Sequence, residues 1–340
     1  MEPKIIIEKG AIKKIPQKVR GFGASFAIIT DGHLKKRGEE LLQNMRAAGL
    51  KCNLLVLPPG ENTKSMHFVE SLTGSLLKLG IRRDSCLIAL GGGVIGDLTG
   101  FIASIFMRGI RFVAVPTTLL GMVDACIGGK TGVDLKEGKN LIGTFYDPAA
   151  VIVDPDMLAS LPERDFKCGM AEVIKHAIIA DRKFFLFLEK NVGAILKRKP
   201  EIIKKLIAKN IEIKLKIVEK DKHENVHGYD KEHSRMFLNY GHTVGHAIEQ
   251  LSRYLVPHGE AIAMGMVAEN RIAQAKKMMK ESEAERVINL LKRFRLPVSI
   301  PADFTTAQIK KALVNDKKHV EGKLCFALPV GIGKAKVVQI

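Results

Sequence analysis

The 340 residues are 46% hydrophobic and 26% charged, the balance of a folded globular protein and not of a disordered or collagen-like one, and the length suits two domains that each bury a core. The apolar runs end well short of the ~20 residues that span a bilayer, and Met1-Glu2-Pro3-Lys4 opens no secretory signal, so a cytoplasmic protein without membrane contact is expected. The net charge of +18 leaves nucleic acid or an anionic small molecule open as partners.

In chain order, residues 5–7, 25–30, 52–57, 86–90, 112–115 and 151–153 are short apolar runs, mostly β-branched, separated by helical patterns. That alternation predicts an α/β N-terminal domain over 1–155 with a mostly parallel, Rossmann-like sheet. Its runs are followed by Asp31-Gly32, Pro58-Pro59-Gly60, Gly91-Gly92-Gly93 and Pro116-Thr117-Thr118. In such sheets the loops beyond the strands' carboxyl ends hold the ligand. Beyond Asp154-Pro155 strands almost vanish, and amphipathic patterns at 164–180, 183–197, 201–219, 241–252, 259–279 and 281–294 predict a mostly α-helical C-terminal domain over 156–340. Residues 221–234 are expected as a polar loop, and 323–329 with 334–340 as a returning pair of strands. Residues 181–220 hold twelve Lys/Arg against five Asp/Glu, spaced onto the polar side of helices. A solvated basic face follows, and the absence of Trp argues against stacking on nucleic acid. Five scattered cysteines, none in a C-x-x-C spacing, are expected as free and mostly buried thiols.

Three groups of residues can carry chemistry. Gly91, Gly93 and Gly96 match G-x-G-x-x-G between a strand and a helix, where glycines let phosphates approach backbone N–H groups. The ribose-binding acid expected about 20 residues later is replaced by Val115-Pro116-Thr117-Thr118, so a nucleotide is expected in a non-standard manner. Next, Gly128-Gly129-Lys130-Thr131-Gly132 and Glu137-Gly138-Lys139-Asn140 place two lysines and an amide in glycine-rich loops, an anion site by type. Last, His242 and His246 stand four apart on one helix face, and His258 and Glu172 come from other helices. Imidazoles with a carboxylate are metal ligands by type, and three of them leave a position open for substrate. Spacing alone includes His246 among them.

Together these residues resemble the 3-dehydroquinate synthase family of sugar-phosphate cyclases over nearly the whole chain. The most specific segments are Gly91-Gly92-Gly93-Val94-Ile95-Gly96-Asp97, Met107-Arg108-Gly109, Gly129-Lys130-Thr131, Gly138-Lys139-Asn140, Ala171-Glu172-Val173-Ile174-Lys175, Asn239-Tyr240-Gly241-His242-Thr243, His258-Gly259-Glu260 and Asp316-Lys317-Lys318. The resemblance implies NAD held by Asp31, Glu61, Lys64, Gly92, Gly93, Asp97, Thr117 and Thr118, with Lys130 and Lys139 beside it. It implies Zn2+ held by Glu172, His242 and His258, although Co2+ or another divalent metal suits the same donors. It moves His246 out of the metal shell to the substrate and phosphate, with Lys130, Lys139, Asn140 and one of Lys317 and Lys318. Asp124, Lys175 and Asn239 would hold substrate hydroxyls, Lys214 and Arg235 the carboxylate, and Arg108 would reach across a homodimer.

The implied reaction converts a small anionic substrate, a seven-carbon keto-acid sugar phosphate, to 3-dehydroquinate and phosphate. It runs by transient oxidation, phosphate elimination, reduction and aldol closure, a lyase step of the shikimate pathway. Two other readings share parts of the pattern. Cyclases of the 2-deoxy-scyllo-inosose synthase type have no carboxylate for Arg235, and metal-dependent polyol or glycerol-phosphate dehydrogenases give no reason for Lys130, Lys139-Asn140 and Lys214 together. The chain departs from the family at His33, where Asn is frequent, and at Cys126, where Ser is. The stretch between Asp221 and Arg235 is longer than the family's, leaving Glu224 and Glu232 as alternatives for its usual glutamate.

Overall fold

Strand and helix alternate through Met1–Leu161, the first of two units into which the chain divides; the second is Pro162–Ile340. The computed structural model describes residues 3–224, 234–314, 319–320 and 323–339. The first unit runs β1 (Lys4–Ile7), α1 (Ile15–Val19), β2 (Phe26–Asp31), α2 (Lys35–Ala47), β3 (Cys52–Leu57), α3 (Met66–Lys78), β4 (Cys86–Gly91) and α4 (Gly93–Ile105). It continues with β5 (Arg111–Pro116), β6 (Lys130–Leu135), β7 (Gly138–Phe145) and β8 (Ala150–Val153).

Six of these strands form one sheet in the order β1-β8-β5-β4-β2-β3, and every neighbouring pair is parallel. All residues of β4 and β8 are buried, as expected of parallel strands covered on both faces. Ile28, Ile88, Val113 and Ile152 lie in one apolar cluster with Leu41 and Met45 of α2. The chain turns from β2 outward to β3 on one side and returns through β4 on the other. A sheet of this kind opens its ligand crevice at that reversal, outside the carboxyl ends of the strands. The edge strand β1 pairs with β8, and Asp154, just past β8, accepts the N–H groups of Gly10 at 3.0 Å and Ile12 at 3.2 Å.

One expectation needs correction here. The segments around Lys130 and Lys139-Asn140 are not glycine-rich loops but a separate antiparallel hairpin, β6–β7, with Lys130 heading β6 and Lys139 and Asn140 on β7. Gly132 pairs with Gly143 across it. A Cβ on Gly143 would stand 2.3 Å from the Thr131 carbonyl oxygen, so the two backbones approach as only glycine allows.

The second unit runs α5 (Glu163–Ala180), α6 (Arg182–Leu196), α7 (Pro200–Lys220), α8 (His242–Leu251), α9 (His258–Ala275), α10 (Glu281–Arg293) and α11 (Thr306–Val314). It ends with β9 (His319–Val320), β10 (Lys323–Pro329) and β11 (Ala335–Gln339), a small antiparallel sheet with β10 central. The helices bury their apolar stripes, Phe184, Leu188, Val192 and Ile195 on α6 for example. Most lysines of α7 face outward, Lys214 excepted: Lys209 pairs with Asp181 at 3.0 Å, and Lys216 with Glu212 at 2.6 Å. The helix expected over 259–279 stops at Ala275, where Lys277 turns left-handed at φ 58°, while α11 and β9 were not expected. No helix among the described residues is long and apolar enough to cross a membrane. All five cysteines are free, with Cys52, Cys86 and Cys325 buried and Cys126 and Cys168 partly exposed.

Candidate functional site

In the first unit the loops that follow β2, β3, β4 and β5 bring Asp31, Glu61 with Lys64, Gly92 with Gly93, and Thr117 with Thr118 to the same end of the sheet. Gly92 precedes α4, whose first backbone N–H groups have no partner within the helix. A Cβ on Gly92 would stand 3.1 Å from Thr118 Cγ2, and one on Gly93 3.2 Å from Ala125 Cβ. Glycine therefore lets this turn pack closely at the start of α4, where the unpartnered N–H groups suit the phosphates of a dinucleotide. The Thr118 hydroxyl accepts the Gly121 N–H at 3.0 Å, and Asp31 accepts the N–H of His33 at 2.9 Å.

Lys64 ties three distant segments together. Its ammonium donates to Asp97 Oδ2 at 2.5 Å and to Asn140 Oδ1, while its carbonyl accepts the Asp134 N–H at 2.8 Å. Burial works against the charge on Lys64, but Asp97, Asp134 and Glu61 outweigh it and hold the pKa above the ordinary lysine value. Lys139 reaches Glu61 Oε1 at 3.5 Å. Asn140 adopts φ 54°, stabilised by donation of its N–H to Asp134 Oδ1 at 2.8 Å. A small cavity lies beside this group, lined by Asp97, Cys126, Gly129, Lys130 and Tyr146. Asp124 lies in the preceding turn, Gly121–Ala125.

In the second unit α5 carries Glu172 and Lys175 on its buried side, 0% and 1% exposed. Glu172 Oε2 pairs with the Lys175 ammonium, which also donates to the Leu238 carbonyl at 2.8 Å. The start of α9 comes close to α5 because position 259 is glycine: a Cβ there would lie 2.3 Å from Cys168 Cα. That approach brings His258 Nε2 to 3.5 Å from Glu172 Oε1, and His242 Nε2 from the start of α8 lies 3.6 Å from the same oxygen. The other ring nitrogens are engaged, His242 Nδ1 with the Tyr240 carbonyl at 3.1 Å and His258 Nδ1 with Glu249 Oε1 at 3.3 Å. One carboxylate oxygen and two imidazole nitrogens thus lie within 4.8 Å of one another, a donor set that fits zinc or a similar divalent ion with a position left open. Burial alone would lower the pKa of His258, but the Glu172 and Glu249 carboxylates reverse this and raise it to about 10. A metal must displace that proton.

His246 stands apart. It is 46% exposed, its Nε2 lies 3.9 Å from Glu249 Oε2, and its ring centre is 5.3 Å from that of His242. It can join Glu249 and His258 in a second donor group, but not Glu172. Asn239 donates its amide N–H to Glu224 Oε1 at 3.0 Å. Arg235 is 2% exposed; its Nη1 donates to the Lys222 carbonyl at 2.7 Å and its backbone N–H to Asp221 Oδ2 at 2.9 Å. Lys214 is buried on α7. Arg108 is exposed at a turn where Met107, Arg108 and Gly109 all take positive φ. Lys317, Lys318 and Glu232 lie outside the described residues. The sequence reading passed over Glu249 and Glu269, whose buried carboxylates meet the two histidine-bearing helices. Glu249, seven residues after His242 and three after His246, carried a helical-face signal.

Known proteins resemble both units. Residues 54–168 match the family model described as 3-dehydroquinate synthase N-terminal, and residues 169–319 match its C-terminal counterpart. A 3-dehydroquinate synthase of Thermodesulfovibrio yellowstonii is 42% identical over 337 residues, covering 98% of this chain and 92% of the relative. Among solved structures, ValA, a 2-epi-5-epi-valiolone synthase of Streptomyces hygroscopicus with NAD+ and Zn2+ bound, superposes with a TM-score of 0.90 at 27% identity, covering 100% of this chain and 93% of that one. A 2-deoxy-scyllo-inosose synthase complexed with carbaglucose-6-phosphate, NAD+ and Co2+ gives 0.88 at 27% identity, covering 99% and 93%.

Proposed function

We propose, from the premise that this chain belongs to the 3-dehydroquinate synthase family, that it converts 3-deoxy-D-arabino-heptulosonate 7-phosphate to 3-dehydroquinate and phosphate, a lyase step of the shikimate pathway. The observation that carries the reading is the convergence of Glu172, His242 and His258 from three helices. Bound to the chain, NAD+ supplies a hydride acceptor that is restored within each turnover, and Zn2+ or Co2+ supplies Lewis acidity at substrate oxygens. Glu172, His242 and His258 hold the metal. Asp31, Glu61, Lys64, Gly92, Gly93, Asp97, Thr117 and Thr118 hold the dinucleotide, with Lys130 and Lys139 beside it.

The remaining work falls to other side chains. Lys175, fixed between Glu172 and the Leu238 carbonyl, donates to a substrate hydroxyl, and Asp124 and Asn239 hold neighbouring hydroxyls. Glu224 orients the Asn239 amide for this. Lys214 and Arg235 take the carboxylate, the guanidinium presenting a fork that matches it. Lys130, Lys139 and Asn140 bind phosphate oxygens, as does one of Lys317 and Lys318. His246, nearly half exposed, exchanges protons with the departing phosphate. Arg108, on its outward strained turn, is contributed to the partner subunit of a homodimer.

Lys214 and Arg235, a cationic pair suited to a carboxylate, support this reading over cyclases acting on sugar phosphates without a carboxyl group, as does identity, 42% against 27%. The test is incubation with the heptulosonate phosphate, NAD+ and Zn2+, following inorganic phosphate and the cyclic product by NMR. Equal amounts of phosphate and dehydroquinate, without net NADH, are expected. Steady NADH production from a polyol with no phosphate release would replace the synthase with a dehydrogenase.

A further inference from the structure

The helices α8 and α9 each begin with one of the metal-site imidazoles, His242 and His258. Each also carries a buried carboxylate to which the reaction above gives no role, Glu249 on α8 and Glu269 on α9, 5% and 0% exposed. At about 100° per residue, seven residues return Glu249 to within about 20° of the face of His242, and eleven return Glu269 as near to that of His258. Each carboxylate therefore shares a face with its own helix's imidazole, yet its hydrogen bonds go to the other helix.

Glu249 Oε1 lies 3.3 Å from His258 Nδ1. With Nδ1 donating its proton to that oxygen, the lone pair of the ring is left on Nε2, the nitrogen that faces Glu172. Glu269 accepts two backbone N–H groups at the opening of α8, Gly241 at 2.7 Å through Oε2 and Val244 at 3.1 Å through Oε1. Donors in the first turn of a helix have no partner within it. Two at the start of α8 are satisfied from α9, and the residues they bracket are His242 and Thr243. The two helices cross closely at this point: a Cβ on Gly265 of α9 would stand 2.0 Å from the Gly241 carbonyl oxygen.

A buried carboxylate is costly to desolvate. The N-cap of α8 cannot supply its own capping side chain, because Gly241 is left-handed at φ 79° and a Cβ there would stand 2.6 Å from Met266 Cγ, so Glu269 caps the helix from α9. The same carboxylates are useful where two helix N-termini, each with the positive end of its dipole, meet at a site for a cation.

We propose that Glu249 and Glu269 are reciprocal positioning residues of the metal centre: Glu249 sets the tautomer and ring orientation of His258, and Glu269 sets the opening of α8 and with it His242. The proposal rests on the metal reading of Glu172, His242 and His258. Its test is metal affinity, measured on the full chain by competition with a chromophoric chelator, together with the visible absorption of the Co2+ form and the melting temperature of the chelated protein. Glu249→Ala is expected to weaken Zn2+ binding about 10- to 100-fold and to alter the Co2+ spectrum. Glu249→Gln, which keeps an oxygen for Nδ1–H, is expected to restore much of both. Glu269→Gln, chosen because the alanine variant has a greater chance of failing to fold, is expected to weaken binding and shift the Co2+ spectrum at a melting temperature close to that of the parent.

Variants that bind Zn2+ with parental affinity and give the parental Co2+ spectrum overturn the proposal. So does a loss of affinity that only follows the loss of melting temperature while the Co2+ spectrum stays fixed. Parent protein that takes up no metal instead overturns the functional reading beneath it.

Discussion

His242 and His246 share a helix face, and their four-residue spacing suits two ligands equally well. What separates them is the position of Glu172. His242 is 12% exposed with Nε2 3.6 Å from Glu172 Oε1, whereas His246 is 46% exposed and turned toward Glu249. His246→Asn is therefore expected to keep metal affinity while slowing phosphate release by about 100-fold or more, and His242→Asn to lose the metal. Equal metal affinity in the two variants would refute the division. His258 gives a prediction in pH. Its pKa is raised to about 10 from 6.5, so in chelated protein the stability it contributes is complete below about 6.5 and is lost as the pH rises through about 10. The melting temperature of chelated protein should fall across that window, and more steeply than that of chelated His258→Gln; parallel slopes would remove His258 as the cause. At this scale the sequence offered residue types and spacings. It carried Glu249 on the face of His242 and His246, but it could not offer the partners of Glu249 and Glu269, because those are set by a helix crossing and not by separation along the chain.

Among the elements, β3 was legible to the residue and the other strands of the large sheet nearly so, because parallel strands covered on both faces read as short continuous apolar runs, and β10 of the small antiparallel sheet was legible to the residue as well. The hairpin β6–β7 was not. Its glycines, lysines and acids resemble loop composition, and Gly132 opposite Gly143 supplies a backbone approach in place of a side-chain signal. The α8–α9 crossing depends on glycine in the same way. Gly265→Ala would force a methyl group against the Gly241 carbonyl, 2.0 Å away before any shift. A loss of about 3 kcal/mol is expected, measured by urea unfolding of the chelated protein, with weaker Zn2+ binding alongside. An unchanged midpoint and affinity would mean that the two helices separate at little cost.

For the whole molecule, alternation followed by long amphipathic patterns foretold an α/β part and a helical part, since period and run length are properties of the chain itself. Assembly with a second copy is written in no such pattern; only the resemblance suggested it. If Arg108 serves the partner's site, Arg108→Ala and Lys175→Ala should each be inactive alone, yet regain activity when unfolded together and refolded as mixed dimers. No recovery on mixing would return Arg108 to its own subunit. The parallel sheet has one more consequence, and it concerns time. The strand at one edge, β1, precedes its partner β8 and the Asp154 clasp by about 145 residues. As the chain leaves the ribosome, β1 must wait unpaired until β8 arrives, and the two then close that edge of the sheet together.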